Sequence, residues 1–170
     1  MACALTQGYT LDCRDSVGGI KTIYVTELAN KSSITAASGT ITAFTLTAGK
    51  KFWTYELMKE TAALTENITT NDTNGTLFFE QDLTFTIRKM QASLSQEIKL
   101  LAQNRLMIIV LDRNGKYWLL GQNNGAELQP STSVTGTAFG DMNGYNLVFK
   151  AKEESPMNEV AANLITSLTT

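Results

Sequence analysis

A chain of 170 residues, 43% hydrophobic and 18% charged, is long enough to bury roughly 70% of its extended surface in one core. It is also too apolar and too evenly charged to stay disordered. A net charge of −2 without clustered Lys and Arg argues against nucleic-acid affinity built on phosphate contacts, and the absence of histidine removes the commonest general base and metal ligand together.

The chain opens on residues 1–19, a stretch with few periodic signals that reads as an N-terminal arm ending in Val17-Gly18-Gly19. It has neither the basic start nor the apolar stretch of a signal peptide, and no window approaches the roughly 20 apolar residues of a membrane-spanning helix. The expectation is a protein made in a reducing cytoplasm, without membrane association, in which Cys3 and Cys13 stay free thiols. Residues 20–27 read as a first strand, 31–39 as a polar loop and 40–47 as a second strand. In residues 51–57 the alternation places Trp53, Tyr55 and Leu57 on one face.

Residues 62–70 and 76–90 read as the arms of a long hairpin, with Asn71-Asp72-Thr73-Asn74-Gly75 as its turn. Leu83, Phe85 and Ile87 alternate with Thr84, Thr86 and Arg88, the pattern of a strand with one face buried. Such a ribbon is marginal alone in water, so its tip is expected to find a partner. One helix is predicted over about residues 93–103: Ser93 and Gln96 have capping-box spacing, and Leu94, Ile98 and Leu101 form a stripe. The apolar run 106–111 is of strand length and predicts a central strand covered on both faces. Residues 112–115 turn it into 116–120.

Four Asn-Gly pairs, at Gly75, Gly115, Gly125 and Gly144, each precede a strand-like run. Asn and Gly tolerate the positive φ that tight hairpin turns demand. About two dozen threonines fit the same β reading. After Pro130 a Ser/Thr/Gly stretch to residue 140 is loop or edge strand, and 145–152 is the last strong strand. Residues 153–170 form a C-terminal arm in which Val160, Leu164 and Leu168 fall at four-residue spacing, an apolar stripe with no evident neighbour in its own sequence. The predicted architecture is mainly β: an antiparallel β-sandwich or barrel with one flanking α-helix, a single domain over 1–152.

The inventory argues against an enzyme. Without histidine, Ser/His/Asp and Cys/His constellations are impossible, and two cysteines ten residues apart make no zinc site. The carboxylates Glu153-Glu154 and Asp12/Asp15 read as solvated surface charge, and Asp112-Arg113-Asn114-Gly115 lacks the further ligands of a calcium loop. No catalytic residue, cofactor site or metal site is expected. Trp53 and Trp118 read first as core or interface residues and second as sugar-stacking platforms.

The order of elements over 76–152 is a strand at 81–89, one helix, the hairpin 106–120, the Gly-rich stretch 135–145 and a final strand. It resembles tail-tube-type structural proteins of bacteriophages, particularly those infecting Bacteroidetes-like hosts. The resemblance implies a homohexameric ring that stacks through a long β-hairpin and terminal arms into a tube. DNA would pass through its lumen without tight binding. It further implies a place in the virion tail, synthesis in the host bacterial cytoplasm, and partners among other tail proteins. On that reading Asn71, Asp72, Asn74 and Gly75 at the hairpin tip, with Val160, Leu164 and Leu168 of the arm, are the candidate contacts between subunits or rings. Two alternatives stand beside it: a head-to-tail adaptor ring of a short-tailed phage, and a β-sandwich carbohydrate-recognition module.

Overall fold

In a computed structural model, which describes residue 5 and residues 7–170, the chain is mainly β, with twelve strands in one large bent sheet and two helices. The strands are β1 (Ile20–Glu27), β2 (Lys31–Ala37), β3 (Thr40–Leu46), β4 (Trp53–Glu56), β5 (Ala62–Asn71), β6 (Thr76–Arg88), β7 (Leu106–Asp112), β8 (Tyr117–Leu120), β9 (Ala126–Leu128), β10 (Thr132–Val134), β11 (Gly144–Glu153) and β12 (Asn158–Val160). The helices are α1 (Ala92–Gln103) and α2 (Ala162–Thr169). All pairings are antiparallel except that of β12 with β3.

β7 organises the whole. It has β1 along one edge, from Ile20↔Asp112 to Glu27↔Leu106, and β8 along the other. Its unbroken apolar run is the run of a strand buried on both sides, and the two sides face different cores. Leu106, Ile108 and Val110 pack with Ile23, Val25, Leu83, Phe85, Leu147 and Phe149. Met107 and Ile109 pack with Ile41, Phe44, Phe52, Leu119 and Val160. Within the first core the Phe85 and Phe149 rings stack at 5.8 Å, and in the second Phe44 and Phe52 meet edge to face at 5.6 Å.

β9 is the corner. It touches β7 at Leu106↔Ala126, then pairs with β11 from Ala151↔Ala126 to Phe149↔Leu128. It thereby carries the sheet from β7 to β11, β6 and β5, which close over the first core. β11 and β6 pair without interruption from Gly144↔Arg88 to Glu153↔Phe79. Helix α1 lays Leu94, Ile98 and Leu101 against the first core, as their spacing predicts.

Several expectations are corrected. Residues 31–37 are strand β2 rather than loop: the segment pairs with β3 as an edge strand whose side chains are mostly exposed, so no buried face marks it in the sequence. Helix α1 is capped by Gln91 and makes no side-chain cap, so the Ser93/Gln96 capping box does not form. Its first turn is held instead by Tyr145, whose hydroxyl meets Ser95 Oγ at 2.5 Å and the Gln91 carbonyl at 3.4 Å.

The third correction concerns the C-terminal arm. It is not without a neighbour. Val160 is wholly buried, Leu168 and Ile165 nearly so, and Leu164 is half-buried, all against the second core. Residues 158–160 form β12 between β3 and β8, and α2 closes that core beneath β3. Val160, Leu164 and Leu168 are therefore packing residues of their own chain, not an apolar stripe free for a second subunit. Only Leu164 and Leu168 lie on the helix, Val160 belongs to β12, and their packing partners lie between about 40 and 130 residues earlier in the chain.

Candidate functional site

The β5–β6 hairpin pairs over ten residues, from Ala62↔Phe85 to Asn71↔Thr76. Opposite residues of an antiparallel pair share a face, so Leu83, Gln81, Phe79 and Leu77 line one side of β6, matched by Leu64, Glu66, Ile68 and Thr70 of β5. The first of these, Leu83, is fully buried in the core. Partner strand β11 ends opposite Phe79, so the pairs nearest the tip have no third strand beside them. The apolar row nevertheless continues: Ile68 is 66% exposed and Leu77 54%. The core-facing surface of the hairpin outruns its own core.

The tip itself is polar. Asp72–Gly75 form the turn, and Asn71 Oδ1 accepts the Asn74 amide at 3.1 Å. Gly75, like Gly115 and Gly125, takes positive φ, whereas the asparagines before them do not. The fourth pair departs from the hairpin-end reading. Gly144 has no positive φ and begins β11 directly against β6. Asn143 serves there through its carbonyl and side chain, which accept the amides of Lys89 and Met90.

At the inner end of the ribbon a polar network fixes it to the domain. Gln81, almost fully buried, donates to Glu66 Oε1 at 3.1 Å and accepts the Gly121 amide at 3.1 Å. Glu66 Oε1 also accepts the Met157 amide at 2.8 Å. Beside them Glu153 Oε1 accepts the amides of Asn123 and Asn124, at 3.0 and 2.9 Å. On the outer face Lys152 pairs with Glu80 at 2.9 Å and lies over the Phe78 ring. That hydrogen bond from Lys152 draws the Glu80 carboxyl below its ordinary range.

Residues 7–19 also stand outside the cores. Tyr9, Leu11 and Val17 are exposed, and the stretch joins no sheet. Among the described residues it is tied down near its end, where the Val17 amide donates to Asn114 Oδ1 at 2.8 Å and Gly19 accepts the Arg113 amide. Cys13 is exposed, and Cys3, its possible partner, lies outside the described residues.

A third feature was missed in the sequence. Between β4 and α1 lies a cleft of about 70 Å³, walled by Trp53 and Tyr55 on one side and by Glu97, Leu100 and Asn104 on the other, with Thr26, Glu27 and Asn30 at its end. Trp53 is 60% exposed, so its ring is not core packing, and Lys51 Nζ stands 5.0 Å from it. Burial first, and then the nearby Glu97 carboxylate, push the Tyr55 hydroxyl up to about 12. Trp118, by contrast, is half-buried and points its Nε1 toward Asp112 Oδ2 at 3.4 Å. The juxtaposition of β4 with a helix forty residues later carries no local signal.

Among the described residues no group of three acidic or sulfur ligands converges as a metal site would require, and no helix is long and apolar enough to cross a membrane. No family model, curated protein or solved structure matches this chain. The fold defines a predominantly β, sandwich-type domain, and the end of the β5–β6 hairpin and residues 7–19 stand outside its two cores.

Proposed function

We propose that this protein is a virion structural subunit of the phage tail-tube type. Six copies close a ring, rings stack into a tube, and DNA passes through the lumen without tight binding. The observation that supports it best is the continuation of the hairpin's apolar row past its own core, at Ile68 and Leu77. Apolar side chains in register with a buried row, but beyond it, are what a strand pair looks like when a second chain completes its cover. Asn71, Asp72, Asn74 and Gly75 sit at the leading edge of that element, as candidate contacts to the next ring. The exposed N-terminal segment, rather than the packed C-terminal one, is the arm that this reading requires. The mild negative charge would let a polyanion slide by without counterion release.

Electron microscopy of the purified protein at rising concentration tests this. Six-fold stacked rings or tubes are the expected result. A single twelve-fold ring would point to a head-to-tail adaptor instead. A monodisperse monomer at millimolar concentration would sink both.

The exposed Trp53 favours one reading of another class, a carbohydrate-recognition module stacking a sugar on that ring. Glycan binding lost on Trp53→Ala would support it. The apolar hairpin end is the feature it leaves without a role.

A further inference from the structure

Strand β5 ends the sheet, and among the described residues nothing pairs with its outer edge over its ten residues. The Thr86 amide donates to the Thr61 carbonyl at 3.0 Å, which sets the alternation of the ladder that follows. Odd-numbered residues of β5 therefore bond to β6, whereas Leu64, Glu66, Ile68 and Thr70 turn their N–H and C=O groups outward. Little on this edge discourages a further strand. β5 has no proline, its ladder with β6 has no register shift, and its one charge, Glu66, is turned in to Gln81 and the Met157 amide. The opposite edge of the sheet, β2, is interrupted by two register shifts within seven residues.

One described stretch has the form that such an edge accepts. In residues 7–15, Tyr9, Leu11 and Cys13 alternate with Thr10, Asp12 and Arg14, the period of a half-buried strand. Yet Tyr9 and Leu11 are exposed, and the stretch joins no sheet. Its tether already lies at the start of β5, where Ser16, Val17, Gly18 and Gly19 share a cleft of about 380 Å³ with Ala62, Ala63 and Leu64. A chain running back from Asp15 to Gln7 along β5 is antiparallel to it. Nine extended residues span about 30 Å, the length of β5 from Ala63 to Asn71. Closure also gives up little. Before Ser16 the stretch makes two hydrogen bonds among the described residues, from the Asp15 amide to the Cys13 carbonyl at 3.1 Å and from the Cys13 amide to Asp12 Oδ1 at 2.8 Å.

We infer that residues 7–15 are a strap that closes on the β5 edge of their own chain as a further antiparallel strand. The tether holds the strap at high effective concentration beside its own edge, which favours it over a segment from elsewhere. With the apolar face inward, Tyr9, Leu11 and Cys13 come beside the row Leu64, Glu66, Ile68 and Thr70, and Ile68 gains lateral cover. The closed strap also shields the edge from pairing with another sheet. This closure goes beyond the association proposed above and does not depend on it. Where that association forms, lifting the strap frees the arm and the Ile68 row together.

Amide hydrogen exchange on the full chain, wild type against the double variant Tyr9→Asp/Leu11→Asp, tests the strap. In the wild type the outward amides of Glu66, Ile68 and Thr70 should exchange roughly tenfold or more slowly than in the variant, at rates independent of protein concentration. The amides of Thr65, Asn67 and Thr69, which bond to β6, should be equally protected in both and report an intact hairpin. Equal exchange of Glu66, Ile68 and Thr70 in the two proteins, fast or slow, overturns the strap. Protection that grows with concentration overturns closure within the chain and gives the edge to the segment of a neighbouring copy. In a Cys3→Ser background, Cys13 should react with a thiol reagent roughly tenfold more slowly before the Tyr9 and Leu11 substitutions than after them. Equal rates would overturn the inward placement of its face.

Discussion

The backbone amide of Phe52 donates to the carbonyl of Leu168 at 2.8 Å, joining the connection after β3 to the last turn of the C-terminal helix. Both side chains lie in the second core, Phe52 1% and Leu168 3% exposed. The C-terminal segment is thus a structural stave. Deleting residues 155–170 would strip Val160, Ile165 and Leu168 from that core and expose Ile41, Phe44 and Met107. The truncated protein should be poorly soluble or largely unfolded, rather than folded and merely unable to stack. Leu168→Ala alone should cost about 2–5 kcal/mol, the range for truncating a buried leucine. Urea denaturation with circular dichroism checks both. A truncated chain with wild-type stability would mean that the second core does not need its helix.

Gly144 and Gly75 belong to the same dipeptide motif yet should lose different amounts of stability to alanine, for different reasons. A Cβ on Gly144 would overlap the carbonyl oxygen of Ile87 and press on the Arg88 Cα, both backbone atoms of the partner strand. Gly75 faces open space but holds a φ of +63°. Gly144→Ala should therefore cost at least about 3 kcal/mol, because the β6–β11 ladder must part to admit it. Gly75→Ala should cost only roughly 1–2 kcal/mol, the strain of a left-handed residue in an exposed turn. Thermal melts of the two variants decide the order.

The contrast shows which features a single sequence makes legible. Unbroken apolarity at 106–111 marks a strand covered on both faces, because any exposed face would show as alternation. The stripe Leu94, Ile98, Leu101 marks a helix face for the same reason. Whether a stripe has a partner is a different kind of fact. The stripe at Val160, Leu164 and Leu168 looked unattached only because Ile41, Phe44 and Phe52 are remote in the chain. Strand β2 was hidden because an edge strand with polar, exposed side chains owes its form to backbone pairing with β3. The Trp53 cleft was hidden for both reasons together, since it joins β1, β4 and α1 through side chains that are each ordinary in their own segment.

Charging the hairpin's overhanging row separates folding from association. Ile68→Asp and Leu77→Asp place carboxylates on side chains already 66% and 54% exposed, so the monomer should lose no more than about 1 kcal/mol. If the row is covered by a second chain, each substitution buries an unpaired charge there and association should fall by two orders of magnitude or more. Sedimentation velocity on the two variants and the wild type reads this directly. Unchanged assembly would remove the hairpin end from the interface.

Alkaline pH offers a test of the cleft's electrostatics that needs no partner. Tyr55 is raised from 10.0 to about 12, by burial first and by Glu97 second. A group whose folded-state value lies above its unfolded value lends stability that is fully present below the unfolded value and is lost as pH rises through the folded one. Tyr55 should therefore favour the folded state up to about pH 10 and lose that contribution progressively toward pH 12. The Tyr55→Phe variant should show a shallower fall in stability across the same window. Glu97→Gln removes the smaller of the two causes, so ultraviolet titration near 295 nm should find Tyr55 ionising at lower pH than in the wild type, yet still above an ordinary tyrosine. If Glu97→Gln left the Tyr55 transition unmoved, the carboxylate would not lie close enough to the Tyr55 hydroxyl to act on it, and burial alone would hold the value up.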